Sequence, residues 1–148
     1  MDQTSLTTLE LVYPETVKFV MLHKMSTIHK EMNQVTTIGR YGGVSGFTDI
    51  PDICLKDRCI SRHHAIIFHL AGTFYIANCS GLNPLRVDAN LLQPGKYSAI
   101  SDGSKIKIPI EAREHPVLDI TCTLRNDPCP FSHSYQIIVR SDGTNEGD

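Results

Sequence analysis

Apolar and polar residues alternate along much of the chain. Ile106, Ile108 and Ile110 are interleaved with Lys107 and follow Lys105, while Leu118, Ile120, Cys122 and Leu124 alternate with Asp119, Thr121 and Thr123. A period of two places alternate side chains on one face of an extended segment, so each run predicts a strand with one buried face. Val17, Phe19, Met21 and His23 alternate in the same way around Lys18 and Lys24. A shorter run at 35–38 ends at Gly39. In the next, His64, Ile66, Phe68 and Leu70 share one face. Gly72 then breaks the chain before a run at 74–77, and Asn83 with Pro84 marks a turn before 85–87. Helical periodicity is weak, and residues 25–33 read as the loop of a hairpin. Pro109 stands in a strand-like run and predicts an edge or a bulge there, because proline has no N–H for the ladder.

Many short strands separated by Gly, Pro, Asn and Asp predict an all-β sandwich or barrel. The length of 148 residues suits one domain. Residues 1–12 read as an N-terminal extension, 13–124 as the domain and 125–148 as a C-terminal extension. Within the last, 135–140 predicts an edge strand beside residues 9–13, and 141–148 is polar enough to be disordered.

Composition narrows the function. Fourteen Lys and Arg face 16 Asp and Glu, for a formal charge of −2. General nucleic-acid binding calls for a basic excess, so direct nucleic-acid binding is not expected of this domain. The apolar stretch at 17–22 contains Lys18 and is far shorter than the roughly 20 residues of a membrane span, so no membrane partner is expected. The start of the chain lacks the basic and apolar regions of a signal peptide. Five cysteines, with no C-x-x-C pair, read as reduced thiols of the cytosol or nucleus.

Candidate chemistry falls in loops between strands, where recognition residues commonly sit on a rigid sheet. Arg40 offers a planar fork of donors suited to phosphate or carboxylate. Ser61 offers a hydroxyl and a backbone N–H at the mouth of a strand, and Arg62 adds a second cation. Asn83 carries both a donor and an acceptor, the complement of a peptide bond. Convergence of these loops at one end of a sandwich would place an anion site beside a peptide-reading amide. Each residue alone has a plainer reading, as a solvated cation, a turn cap or a turn former. Cys59 near His63 and His64 raises a thiol nucleophile, but no orienting or oxyanion motif accompanies it. Cys54, Cys59, His63 and His64 have no common zinc spacing, and neighbouring histidines on a strand face opposite ways. No catalytic residue, metal or cofactor is expected.

Order and spacing make the stronger signal. Gly39-Arg40, then Ser61-Arg62-His63-His64-Ala65 about twenty residues on, then Ser80 with Asn83, then Asp102-Gly103 followed by Ile106 and Ile108, resemble the forkhead-associated (FHA) family, as does Asp52 to Leu55 upstream. The resemblance covers roughly residues 13–124. It implies a β-sandwich of about eleven strands with binding loops at one end, capturing phosphothreonine in an extended peptide. Arg40 and Ser61 would then hold the phosphate, with Arg62 supporting the phosphate or the adjoining backbone. Asn83 would hold the peptide main chain, and Gly39 and His64 would be architectural. Asn78, Leu82, Pro84 and Leu85 depart from the family's usual Asp, polar residue, Gly and Thr. The Val87-Asp88 pair resembles members attached to forkhead transcription factors, which favours a nuclear over a cytoplasmic location. The partner implied is a threonine-phosphorylated protein. The alternative is the same fold used without phosphate, for interaction or dimerisation.

Overall fold

The computed structural model describes residues 5–14, 27–40, 50–55, 57–81, 83–109, 116–128 and 133–142. Among these residues the chain is all β, with twelve strands in two sheets. The first sheet contains β1 (Ser5–Pro14), β2 (Thr27–Glu31), β7 (Leu85–Val87), β8 (Asn90–Leu92), β10 (Lys105–Ile108), β11 (Leu118–Pro128) and β12 (Ser134–Asp142), in the order β2-β12-β1-β11-β10-β7-β8. The second contains β3 (Thr36–Arg40), β4 (Ile53–Leu55), β5 (Ala65–Leu70), β6 (Thr73–Asn78) and β9 (Tyr97–Ile100), in the order β4-β3-β5-β6-β9.

The sheets form a sandwich because each has one apolar face to remove from water. Leu9, Leu11, Ile120 and Ile137 of the first sheet and Ile38, Ile67 and Ile76 of the second are buried in one cluster. Phe74 of β6 meets Tyr135 of β12 edge-to-face at 5.2 Å, joining the layers. The Tyr135 hydroxyl lies 3.2 Å from that of Thr36 and donates to the Gln34 carbonyl at 2.7 Å, so this buried phenol is satisfied. Cys122 packs here as a small hydrophobe. Burial, followed by the nearby charges of Asp88 and Asp102, pushes its thiol up to about 12.

Alternation placed β10 and β11 correctly: Ile106, Ile108, Leu118, Ile120 and Cys122 are all buried. Five readings change. In β5 the buried residues are Ala65 and Ile67, whereas Ile66, Phe68 and Leu70 face outward, although they share a face as expected. Residues 27–31, read as loop, form β2, whose buried Ile28 pairs with Ile137. Pro109 lies just beyond β10, which is interior, between β7 and β11. Residues 135–140 do form a strand beside β1, but β2 covers its other side, so it is not an edge. From Ser5 the expected N-terminal extension supplies a strand with neighbours on both sides, and β11 runs through residue 124. The run at 17–23 lies outside the described residues.

Turn chemistry closes the hairpins. Leu70 pairs with Thr73, leaving Ala71 (φ 52°) and Gly72 (φ 85°) as a two-residue loop. Positive φ at both positions gives the turn the hand that matches strand twist.

Candidate functional site

Three sequence clusters meet where β3, β5 and β6 enter their loops. Gly39 begins the construction. A methyl group at its Cβ position would lie 1.9 Å from the Arg62 carbonyl oxygen and 3.2 Å from that of Ser61. The backbone at 61–62 therefore lies directly on β3, an approach that a side chain would block. It is fastened on both sides of Gly39. The Arg40 N–H donates to the Ser61 carbonyl at 3.0 Å, and the His64 N–H donates to the Ile38 carbonyl at 3.0 Å.

This fastening brings Arg40 beside Ser61. The Arg40 Nε donates to the Ile60 carbonyl at 2.9 Å, which fixes the plane of the guanidinium. Its remaining N–H groups have no hydrogen-bond partner among the described residues. Arg40 is half-buried, so its charge is screened less than that of a freely solvated arginine.

His64 sets the Ser61 loop from below. Its ring is fully buried, and Nδ1 accepts the Ser61 backbone N–H at 3.0 Å. The proton of the neutral ring must then reside on Nε2. Among the described residues that buried Nε2 has no hydrogen-bond partner, and burial holds the histidine's pKa below its ordinary value. The ring is thus kept neutral, as an acceptor.

The third loop joins through Ser80, which is buried. Its hydroxyl accepts the Asn83 N–H at 3.0 Å and lies 3.3 Å from the Ser61 hydroxyl. The Asn83 Nδ2 donates to the Cys59 carbonyl at 2.9 Å, crossing to the loop that carries Ser61. One side-chain amide therefore ties the two loops, while its Oδ1 remains an acceptor.

Arg40, Ser61 and Asn83 accordingly belong to one hydrogen-bonded assembly, with Gly39 and His64 beneath it. Arg62 joins through its backbone, and its side chain is exposed. His63 is also exposed while His64 is buried, although both lie in the turn before β5 rather than on a strand. Among the described residues no group of three or more His, Cys, Asp or Glu could hold a metal ion.

Sequence reading missed the parts played by Ser80 and Asn78. Asn78 accepts the Ser80 N–H at 2.9 Å and donates to the carbonyls of Leu92 at 2.8 Å and Asn83 at 3.2 Å. An ionised aspartate could accept the first bond but donate neither of the others. The departure from the usual Asp thus helps hold the loop that ends in Pro84. Leu85 is fully buried at the start of β7, which accounts for an apolar residue there. Leu82 lies outside the described residues.

A model of the FHA domain matches residues 36–109, half of the chain. The chain belongs to the FHA family. The match names no subtype, and the Val87-Asp88 pair has a local structural role: Val87 is core, and Asp88 (φ 56°) accepts the Lys105 N–H at 3.0 Å. The solution structure of the FHA domain of an Arabidopsis thaliana hypothetical protein is 18% identical with a TM-score of 0.49, covering 89% of this chain and 96% of that one. The crystal structure of the MEK1 FHA domain in complex with a HOP1 phosphothreonine peptide is 15% identical with a TM-score of 0.48, covering 68% and 97%. Full-length yeast Pml1p is 14% identical with a TM-score of 0.49, covering 67% and 80%. No curated protein sequence matches the chain.

Proposed function

We propose that this chain is a non-enzymatic adaptor that captures threonine-phosphorylated peptides. The observation that supports the reading is the fastening of Arg40 to the loop of Ser61, with Nε bonded to the Ile60 carbonyl and the backbone N–H to the Ser61 carbonyl, on a loop braced also by His64 and Ser80. A phosphothreonine brings a charge of about −1.5 to −2 and three strong acceptors. Arg40 and Ser61 supply complementary donors, and the Asn83 Oδ1 can accept an N–H from the peptide's main chain. Arg62 adds a cation at the rim.

Charge-assisted bonds of this kind contribute roughly 1.5–3 kcal/mol each, so two or three with main-chain contacts support a Kd near ~1 μM. An unphosphorylated threonine would leave Arg40 opposite a neutral hydroxyl. Preference for threonine over serine through one buried methyl is worth only about 0.8 kcal/mol. The loop at 57–63 adds a bias in sequence context. The Asp57 carboxylate is engaged by the Cys59 N–H at 2.9 Å, whereas Arg58 and Arg62 are exposed. Acidic residues near the phosphothreonine are therefore favoured.

Calorimetry with one partner peptide in phosphorylated and unphosphorylated forms tests this reading. The phosphorylated form is expected to bind on the order of a hundredfold more tightly. Arg40→Ala and Ser61→Ala should each weaken it by about 1.5–3 kcal/mol, with a smaller loss of stability of about 1 kcal/mol from the single internal bond each side chain makes. Equal affinity for both forms would favour phosphate-independent association and end the proposal. Asn83→Ala is expected to weaken binding while also loosening the loop, because the Cys59 carbonyl loses its donor. Normal affinity with normal loop protection in hydrogen exchange would remove the clamp role from Asn83.

A further inference from the structure

The outer face of the second sheet is apolar, and no outward position of β5, β6 or β9 carries a charge. Phe68 stacks on Tyr75 with ring centroids 5.3 Å apart, and Tyr97 stands edge-on to Tyr75 at 5.7 Å. Tyr97 is 66% exposed, and Leu70, at the far end of β5 on the same face, is 61% exposed, so apolar surface extends along the face.

Strand register places a second feature on this face. Tyr97 pairs with Ala77, Ala77 with Ile66, and Ile66 with Thr37. Thr37 is bonded to Asp52 next to β4: its N–H donates to the carboxylate, and its hydroxyl accepts the Asp52 N–H, both at 2.9 Å. Here lies a cavity of about 450 Å³, walled in part by Val35, Thr37, Ile50, Pro51, Asp52 and His63. A protruding aromatic ring and a cavity thus stand at opposite ends of one cross-strand row. β5 is central in the sheet order, with two strands on either side.

We propose that the chain forms a two-fold dimer through this face, the Tyr97 ring of each copy entering the cavity beside Thr37 and Asp52 of the other. A two-fold axis along β5 exchanges the ends of the row and brings β9 of one copy over β4 of its partner. The same surface then supplies both the knob and the hole, as an isologous interface requires. An uncharged centre avoids the like-charge repulsion that a two-fold otherwise creates. Asp52 Oδ2 is taken by Thr37 and by an ion pair with Lys30 at 3.0 Å, another residue of the cavity wall, which leaves Oδ1 as the acceptor for the tyrosine hydroxyl. Five strands about 4.8 Å apart and three to six residues long give a face on the order of 400 Å² per copy. Standard interfaces use about 800 Å² per partner, so the dimer is weak and concentration-dependent. It does not depend on phosphate capture.

Sedimentation equilibrium of the chain over a concentration series is expected to fit a monomer–dimer equilibrium. Tyr97→Glu and Ile50→Asp, both at exposed positions, should each weaken dimerisation by more than about tenfold with an unchanged melting temperature. Mixing the two variants should restore much of the association. The mixed pair keeps one sound knob-and-hole contact, whereas each variant alone keeps none. A chain that stays monomeric at millimolar concentration overturns the proposal and leaves the face to a different protein. An association indifferent to Tyr97→Glu, or a mixture no stronger than its components, also overturns it.

Discussion

Gly39→Ala is expected to destabilise the fold by about 3 kcal/mol and to weaken phosphopeptide capture by at least about a hundredfold, although it adds one methyl group. The methyl would stand 1.9 Å from the Arg62 carbonyl oxygen and 2.7 Å from its carbon. Such overlap with backbone cannot be relieved by a rotamer change. Nor can the loop retreat freely, because Arg40 to Ser61 and His64 to Ile38 bond it to β3 on either side of the clash. Either β3 bends or those bonds lengthen, and both displace Ser61 from Arg40. Denaturant unfolding and calorimetry with a phosphopeptide measure the two effects. The contrast with Arg40→Ala is diagnostic, since that change should lower affinity while costing only the one bond to the Ile60 carbonyl, about 1 kcal/mol. A Gly39→Ala variant with normal stability would mean that the loop does not rest on β3.

How far the sequence disclosed the molecule depended on whether a residue's neighbours in the chain reveal its surroundings. β10 and β11 alternate cleanly because their outer faces are polar, with Lys105, Lys107, Asp119, Thr121 and Thr123 between the core positions. β5 is apolar on both faces, so period two identified the strand without choosing its buried side. Its outer face instead carries the aromatic cluster. Residues 27–31 have one buried apolar residue, Ile28, and this edge strand is specified by pairing with β12 more than a hundred residues away. No local pattern reports such a pairing.

The site followed the same logic. Gly39, Arg40, Ser61, His64 and Asn83 were legible from order and spacing, and they fall in one assembly. Ser80 was legible only as a motif position and Asn78 only as a departure; their roles were not, because these lie in bonds across loops: serine to serine over nineteen residues, and asparagine to the Leu92 carbonyl over fourteen. Asn83 gained a role in the same way. Sequence reading aimed its amide at a peptide, whereas its Nδ2 is bonded within the protein. The available signal was chemical: a buried Ser or Asn next to a recognition loop must find partners, and the nearest ones are the loop's own polar groups.

Replacing His64 by alanine is expected to cost about 2–4 kcal/mol and to remove part of the protein's acid sensitivity. The cost combines the space left by a fully buried ring with the loss of the acceptor for the Ser61 N–H. Acid sensitivity follows from the same bond. Nδ1 must remain unprotonated to accept, and burial lowers the folded histidine's pKa below the 6.5 of an exposed ring. A lowered histidine pKa means that the unfolded chain binds the proton first. Its stabilising effect is therefore complete above pH 6.5 and declines as pH falls from there through the folded value. Protonation would set two donors against each other at Ser61, and no acceptor among the described residues stands at Nε2 to compensate. His69 is also lowered by burial and contributes with the same sign, so the wild-type chain retains a slope that His64→Ala does not abolish. The measurement is urea unfolding of both proteins between pH 7.5 and about 5 without peptide, because phosphothreonine itself gains a proton near pH ~6. The stability difference should shrink as pH falls, for His64 contributes less once acid competes for its nitrogen. A difference that stays constant across this range would mean that Ser61 is positioned without the neutral ring.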